Sequence, residues 1–190
     1  MDVDWNAELL DQLEWHWQSQ LRPRLDGLTD DEYLWQPVPG CWTLRQRVEN
    51  STLNSADKDA FTMDYTELPE GPAPVTTIAW RLAHLIDVFG IPTEPHFNGP
   101  RANDPVGNYS GTAEQALRQL DEGHDAWVDD VRRLGTAGLA QPQADIAPPQ
   151  YANAPMAKRV MHIHREVIHH GAEICLLRDL YLWSKDGKGL

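Results

Sequence analysis

The chain has 190 residues with 29 acidic against 16 basic side chains, and its formal net charge of -13 argues against nucleic acid or an anionic membrane as a partner. Its acidic N-terminus does not resemble a signal peptide and no apolar run reaches membrane-spanning length, so we expect a soluble cytoplasmic protein. The length suits one hydrophobic core and no linker-like segment divides it, which predicts one domain over residues 1–190.

The N-terminal part predicts two helices. Apolar residues at helical spacing predict a first helix from about Asp4 into Leu21, which the following Arg-Pro-Arg sequence disturbs. A short helix is expected next, because Thr29 is a good N-cap and Glu32 can complete a capping box with it.

An irregular stretch precedes the next long helix. Residues 37–74 are rich in turn residues, with one candidate extended piece at 41–47. A helix then begins near residues 76–77 and ends by Gly90.

Two further long helices complete the pattern. Thr112 and Gln115 form a second capping box, and the 3.6-residue apolar rhythm that follows lasts until Gly135. Pro155 can open the last helix, which runs to about Trp183. Four main amphipathic helices without convincing strands predict an all-α fold, a four-helix bundle with long crossover loops.

The last predicted helix contains a pair of potential metal ligands. Glu166 and His170 stand four residues apart, so they share one helical face and can bind one divalent cation. The same face carries His162 and Glu173 beside apolar residues, and buried ionisable groups need a partner or a metal. The alternative is a solvated Glu–His pair on an acidic helix.

A tight site needs a third donor, and His84, on the helix predicted to begin near residues 76–77 and end by Gly90, is the candidate. Three nitrogen or oxygen ligands with an open position are typical of catalytic rather than structural zinc. Since no cysteine takes part, the ligand types leave zinc, nickel, iron and manganese open. We take zinc as the first expectation and nickel as the second.

The other histidines predict less. His124 lies on an apolar stripe and is expected to be a hydrogen-bonded core residue, with support of a ligand as the alternative. His164 falls on the far side of the helix from Glu166, so we expect it at the surface. His169 flanks the site and could orient a substrate or bond to the backbone.

An apolar stripe on the last helix suggests a partner helix. Met161, Ile168, Cys175 and Leu182 recur every seven residues, which favours a homodimer seam. Packing against the chain's own first helix or loops would explain the stripe equally well.

Three stretches carry a resemblance to the DinB-like metalloprotein superfamily, which includes YfiT-type metal-dependent hydrolases and the metal-binding domain of mycothiol-dependent maleylpyruvate isomerase. The stretches are LRPRLDGLTDDEYLWQPVPGCWTLR, TTIAWRLAHLIDVFG and REVIHHGAEICLLRDLY. Their order covers nearly the whole chain. The resemblance implies a four-helix bundle with one metal ligand on the second helix and two, at i and i+4, on the last.

Carried over to this sequence, the family's ligands fall on His84, Glu166 and His170. The common motif has two histidines followed by Arg-Gly-Gln, whereas Glu166 takes the first place here and Gly171, Ala172 and Glu173 follow. A glutamate in that place is similar to the isomerase branch.

The resemblance implies a divalent metal that activates a low-molecular-weight thiol, such as mycothiol or bacillithiol, or water, for attack on a small-molecule substrate. We therefore expect a thiol-dependent transferase acting on small electrophiles. The alternatives are a metal-dependent hydrolase of small amides or esters and a non-catalytic metal- or ligand-binding module of the stress response.

Overall fold

A computed structural model of the chain describes residues 2–46, 61–65, 74–90 and 109–185. The fold is all-α, as predicted, with one two-stranded sheet beside the helices. Parts of the predicted loops, at 47–60, 66–73 and 91–108, lie outside the described residues. The described elements are α1 (Trp5–His16), α2 (Asp30–Tyr33), β1 (Leu44–Gln46), β2 (Phe61–Met63), α3 (Ile78–Phe89), α4 (Ala113–Leu139) and α5 (Met156–Lys185).

Helix α1 begins where the sequence predicts, because the Asp4 carboxylate accepts hydrogen bonds from the N–H groups of Asn6 and Ala7. The chain then widens into a π-helical turn over Trp17–Leu21 and tightens into a 3-10 turn over Arg22–Leu25. Pro23 has no N–H group, so a regular α-helical ladder cannot continue through this segment.

The two predicted capping boxes form only in part. Thr29 caps α2 by accepting from the Glu32 N–H, but the Glu32 carboxylate pairs with Arg178 on α5. At α4, the Thr112 side chain makes no cap hydrogen bond, and the Asp30 carboxylate accepts from the Ala113 N–H instead. At both helix starts, residues distant in the sequence therefore form hydrogen bonds that a capping box would have formed locally.

The predicted extended piece contains strand β1, which pairs antiparallel with β2 in the register Leu44↔Met63. Just before it, the Trp42 N–H donates to the Val75 carbonyl and the Thr77 N–H donates to the Trp42 carbonyl, both at 2.9 Å. These bonds tie the sheet to the start of α3.

The core lies between α1, α3, α4 and α5. Large side chains from all four helices are less than 2% exposed, including Leu13, Leu82, Leu85, Leu120, Trp127, Val131 and Ile174. Helix α4 is interrupted at Gly135, as predicted, where a positive φ of 61° requires a residue without a Cβ.

Helix α5 runs from Met156 to Lys185, close to the predicted bounds. The seven-residue stripe on it is half-buried at Ile168 and Cys175, and more than half exposed at Met161 and Leu182. The homodimer stays a prediction. Among the described helices, none is both long enough and apolar enough to cross a membrane.

Candidate metal centre

His84 lies on helix α3, and the N-terminus of this helix is fixed by a capping residue. The Thr77 hydroxyl caps the helix by accepting from the Trp80 N–H at 3.2 Å. The Trp80 indole N–H donates to the Asp64 carbonyl at 2.7 Å, and the Trp80 ring stacks on the His84 imidazole with 5.6 Å between centroids. The imidazole is therefore held against a ring that is itself anchored to the loop after β2.

The structure brings together the three residues predicted as ligands. The Oε2 atom of Glu166 lies 3.2 Å from Nε2 of His170 and 3.7 Å from Nε2 of His84. One donor atom from each of the three residues lies within 4.8 Å of the others. Their side chains are 29%, 19% and 12% exposed for His84, Glu166 and His170, so the cluster sits at the edge of the core with one side open to solvent.

The other ring nitrogen of His170 has its own partner. Nδ1 lies 2.6 Å from Oε2 of Glu173 and 3.1 Å from Nη1 of Arg81. A carboxylate can only accept and a guanidinium can only donate, so the shorter contact, with Glu173, is a hydrogen bond when Nδ1 carries the ring proton. The guanidinium of Arg81 lies beside the same carboxylate, with Nε 3.1 Å from that oxygen. This arrangement directs Nε2 of His170 towards Glu166 and His84.

The donor set fits a divalent cation. Nε2 of His170 lies 3.2 Å from a carboxylate oxygen of Glu166, and a proton or a cation between the nitrogen and the oxygen is needed to hold the two together. Two imidazoles and one carboxylate are ligands that zinc and neighbouring transition metals accept. His84, Glu166 and His170 are thus the residues that would hold the ion.

The protonation states favour cation binding near neutral pH. Burial, and then the charge of His170, lower the pKa of His84 to about 4, so its imidazole is neutral. Burial raises the pKa of Glu166, but His162, His170 and Arg165 outweigh that effect and hold it below its ordinary value. The site therefore presents a carboxylate and a free imidazole without a proton to displace from either.

A second group of donors overlaps the first. His169, His170 and Glu173 also bring one donor atom each within 4.8 Å of one another. His169 is 66% exposed, and all three residues come from one turn of α5. The Nδ1 atom of His170, the one nearest Glu173, already contacts that carboxylate and the Arg81 guanidinium, so the group containing His84 fits an ion better.

Three residues beside the cluster were missing from the sequence prediction, namely Trp80, Arg81 and Arg165, whose guanidinium lies 3.4 Å from Oε1 of Glu166. Trp80 stacks on His84, and the Arg81 guanidinium carbon lies 5.1 Å from the centre of the Trp80 ring. The spacing of Trp80 and His84, four residues on one helix, is a signal that could have indicated the stacking.

The structure corrects one histidine prediction and bears out another. His124 is a core residue as expected, 4% exposed and stacked on Trp17 at 3.9 Å. His164, predicted at the surface, is only 2% exposed and lies edge-on to Trp127. The surface prediction was wrong because α5 is covered on two sides, by α3 on one edge and by α1 and α4 next to it.

The chain matches the family model of the DinB superfamily over residues 52–174, and this stretch contains His84, Glu166 and His170. No curated protein and no solved structure gives a significant match. Because the family match spans more than half of the chain, the protein belongs to the DinB superfamily, whose members bind metal.

Proposed function

We propose that this member of the DinB superfamily is a divalent-metal-dependent enzyme, a transferase that joins a low-molecular-weight thiol to a small electrophile. The observation that carries the proposal is the convergence of Nε2 of His84, Oε2 of Glu166 and Nε2 of His170 from two helices onto one point. Zinc is the first candidate for the ion and nickel the second.

The nucleophile must come from outside the chain. Cys41 is 2% exposed, and burial raises the pKa of its thiol. Cys175 lies nine residues after Glu166 on α5, which places it about 180° around the helix from the cluster. Among the described residues, no donor group near the cluster contains a cysteine. A cation held there would lower the pKa of an added thiol or of water and so supply the attacking atom.

The exposed rim of the cluster favours a thiol that carries a negative group. His162, Arg165 and His169 are each more than half exposed along α5, beside Glu166 and His170. In a protein with a net charge of -13 this is a local concentration of cationic and titratable nitrogen donors. Such groups can position the carboxylate of a small thiol while the three cluster residues hold the ion.

The test compares wild type with His170→Ala and with the matched control His169→Ala, which removes an exposed histidine one residue away. Bound zinc is measured after loading and dialysis, and activity is measured as conjugation of bacillithiol or mycothiol to a chlorinated nitroaromatic. We expect His170→Ala to lose both and His169→Ala to keep its metal.

Equal metal content in wild type and His170→Ala would remove the proposed site. Turnover of a model ester with metal and without thiol would replace the transferase with a hydrolase. Metal binding without either activity would show that the protein is a non-catalytic metal-binding module.

A further inference from the structure

Helix α5 has a face whose residues follow a palindromic order. Seven positions recur at intervals of four, three, four, four, three and four residues, so they lie within about 80° around the helix axis. Four of them are apolar, two carry opposite charges, and an alanine stands at the centre. The positions are Met161, Arg165, Ile168, Ala172, Leu176, Asp179 and Trp183.

Most of this palindromic face is open to solvent. Met161, Leu176 and Trp183 are 53%, 58% and 58% exposed, and Ile168 is half-buried. The face departs from the stripe predicted from the sequence at Cys175, because Cys175 packs against the core. Large apolar side chains exposed in line along one helix indicate a surface that binds a partner.

We propose that the palindromic face binds the same face of a second copy of the chain, with the two α5 helices antiparallel and a two-fold axis at Ala172. In a two-fold dimer every contact between copies occurs twice, so the face must be complementary to itself. Residues at equal distances before and after the axis meet each other. Met161 meets Trp183 of the other copy. Ile168 meets Leu176 in the same way.

The axis also matches the two charged residues of the face. Arg165 lies seven residues before Ala172 and Asp179 lies seven residues after it, so each guanidinium meets the carboxylate of the other copy. Within its own chain, Arg165 lies 3.4 Å from Glu166. Asp179 lies 2.6 Å from Arg24. The pair between copies would therefore complete a row of alternating charges, which is more favourable than an isolated surface pair.

The composition of the face suits a second copy of an acidic chain. The net charge of -13 makes most contacts between two copies repulsive, but this face has one positive and one negative side chain. The small Ala172 side chain lets the two helices approach closely at the axis. Arg165 also belongs to the rim of the metal centre, so the second copy would adjoin that rim, although the dimer itself does not need the ion.

Sedimentation equilibrium in the presence of a chelator measures the mass and the dissociation constant of the dimer. We expect wild type to have twice the chain mass of 21.5 kDa. Ala172→Arg brings two like charges together at the axis and should give a monomer. Arg132→Asp changes an exposed arginine on α4, so this control should leave the dimer unchanged.

Charge reversal tests which residues meet. Arg165→Asp and Asp179→Arg each place two like-charged pairs in the dimer, so each should weaken it at least about tenfold. The double variant exchanges the two charges and should return the dissociation constant to near the wild-type value. A merely local effect of either substitution within its own chain would not be reversed by the other.

A disulfide tests the position of the axis. Ala172→Cys combined with Cys175→Ser places two thiols opposite each other, so mild oxidation should link the two copies. Wild type should not be linked through Cys175, because its two copies would lie about 9 Å apart along the helices. The proposal is overturned if wild type stays a monomer at its highest soluble concentration, if Ala172→Arg stays a dimer, or if the double charge reversal recovers nothing.

Discussion

The two ring nitrogens of His170 contact different groups. Nδ1 meets the carboxylate of Glu173, whereas Nε2 meets the oxygen of Glu166 near His84. A histidine whose remote nitrogen donates to a carboxylate is fixed in tautomer and ring orientation, and the nitrogen that faces a metal becomes more basic. Glu173 is therefore a positioning residue for the proposed site.

Glu173→Gln tests this role. The amide oxygen can still accept from Nδ1, but it carries no charge, so we expect zinc affinity to fall about 10- to 100-fold with the stoichiometry unchanged. Competition with a chromophoric chelator measures the dissociation constant. Glu114→Gln is the control, because it removes one charge from an 86% exposed side chain on α4. Equal affinities in the two variants would show that Glu173 does not position His170.

Asp87 makes part of the fold sensitive to pH. Burial raises the pKa of its carboxyl to about 6 from an ordinary 3.8, and the Tyr109 hydroxyl, which donates to it at 2.5 Å, offsets this only in part. An acid with a raised pKa in the folded state stabilises the fold below its unfolded pKa. This contribution is lost as the pH rises through the folded pKa, so stability falls between about pH 4 and pH 6.

Asp87→Asn keeps an acceptor for Tyr109 and removes the charge. Relative to wild type, its free energy of unfolding should rise by about 2 kcal/mol between pH 4 and pH 7. Urea titrations of both proteins at several pH values measure the difference in their free energies of unfolding. The contributions of the other titrating groups are the same in both proteins and cancel in that difference. Asp129→Asn is the control, on a side chain that is 59% exposed, and its difference in free energy of unfolding from wild type should not change with pH. A flat difference for Asp87→Asn as well would contradict the argument.

Among single residues, spacing predicted some neighbours and missed others. Glu166 and His170 are neighbours on any helix, and His84 followed from the family resemblance and the need for a third donor. The burial of His164 and the approach of Arg81 to Glu173 depend on how α1 and α3 pack on α5, which a helical period alone does not encode.

Between elements, one buried ion pair links α2 to α5. The guanidinium of Arg178 donates to both carboxylate oxygens of Glu32, at 2.6 and 3.1 Å, and to the carbonyls of Arg24 and Asp26. The side chains of Glu32 and Arg178 are 4% and 12% exposed. Removing one partner would leave the other charge buried without compensation.

Arg178→Met should therefore destabilise the fold by about 3–5 kcal/mol. Adding Glu32→Leu in the same chain should recover most of that loss, because the buried pair is then replaced by apolar side chains. The free energies of unfolding of wild type, both single variants and the double variant, measured in urea, form a double-mutant cycle that gives the coupling energy of the pair. Additive effects of the two substitutions would show that the pair is not coupled.

The order and bounds of the elements were largely predictable, because α3, α4 and α5 each have a start signal and an apolar period in the sequence. The partners at their ends were not. Glu32 and Asp30 bind Arg178 and the Ala113 N–H, which are 146 and 83 residues away, and a local capping rule cannot foresee such distant groups. The small sheet likewise depends on residues that are far apart in sequence.

At the scale of the whole molecule, an ion in the proposed site would join α3 to α5. His84 comes from one helix, and Glu166 and His170 come from the other, while the unfolded chain cannot hold the three donors together. A ligand that binds only the folded state stabilises it by mass action, by about 2.7 kcal/mol when its free concentration is 100 times the dissociation constant. For a chain of this size that corresponds to a rise in Tm of roughly 5–10 °C.

Thermal unfolding with zinc and with a chelator tests this linkage. Wild type and His169→Ala should both unfold at a higher temperature with zinc, and the difference should grow with zinc concentration. His84→Ala and His170→Ala remove donors from different helices, so each should abolish the zinc-dependent rise while leaving the chelated Tm measurable. A zinc-dependent rise that survives in both variants would place the bound ion elsewhere on the protein and separate metal binding from the contact between α3 and α5.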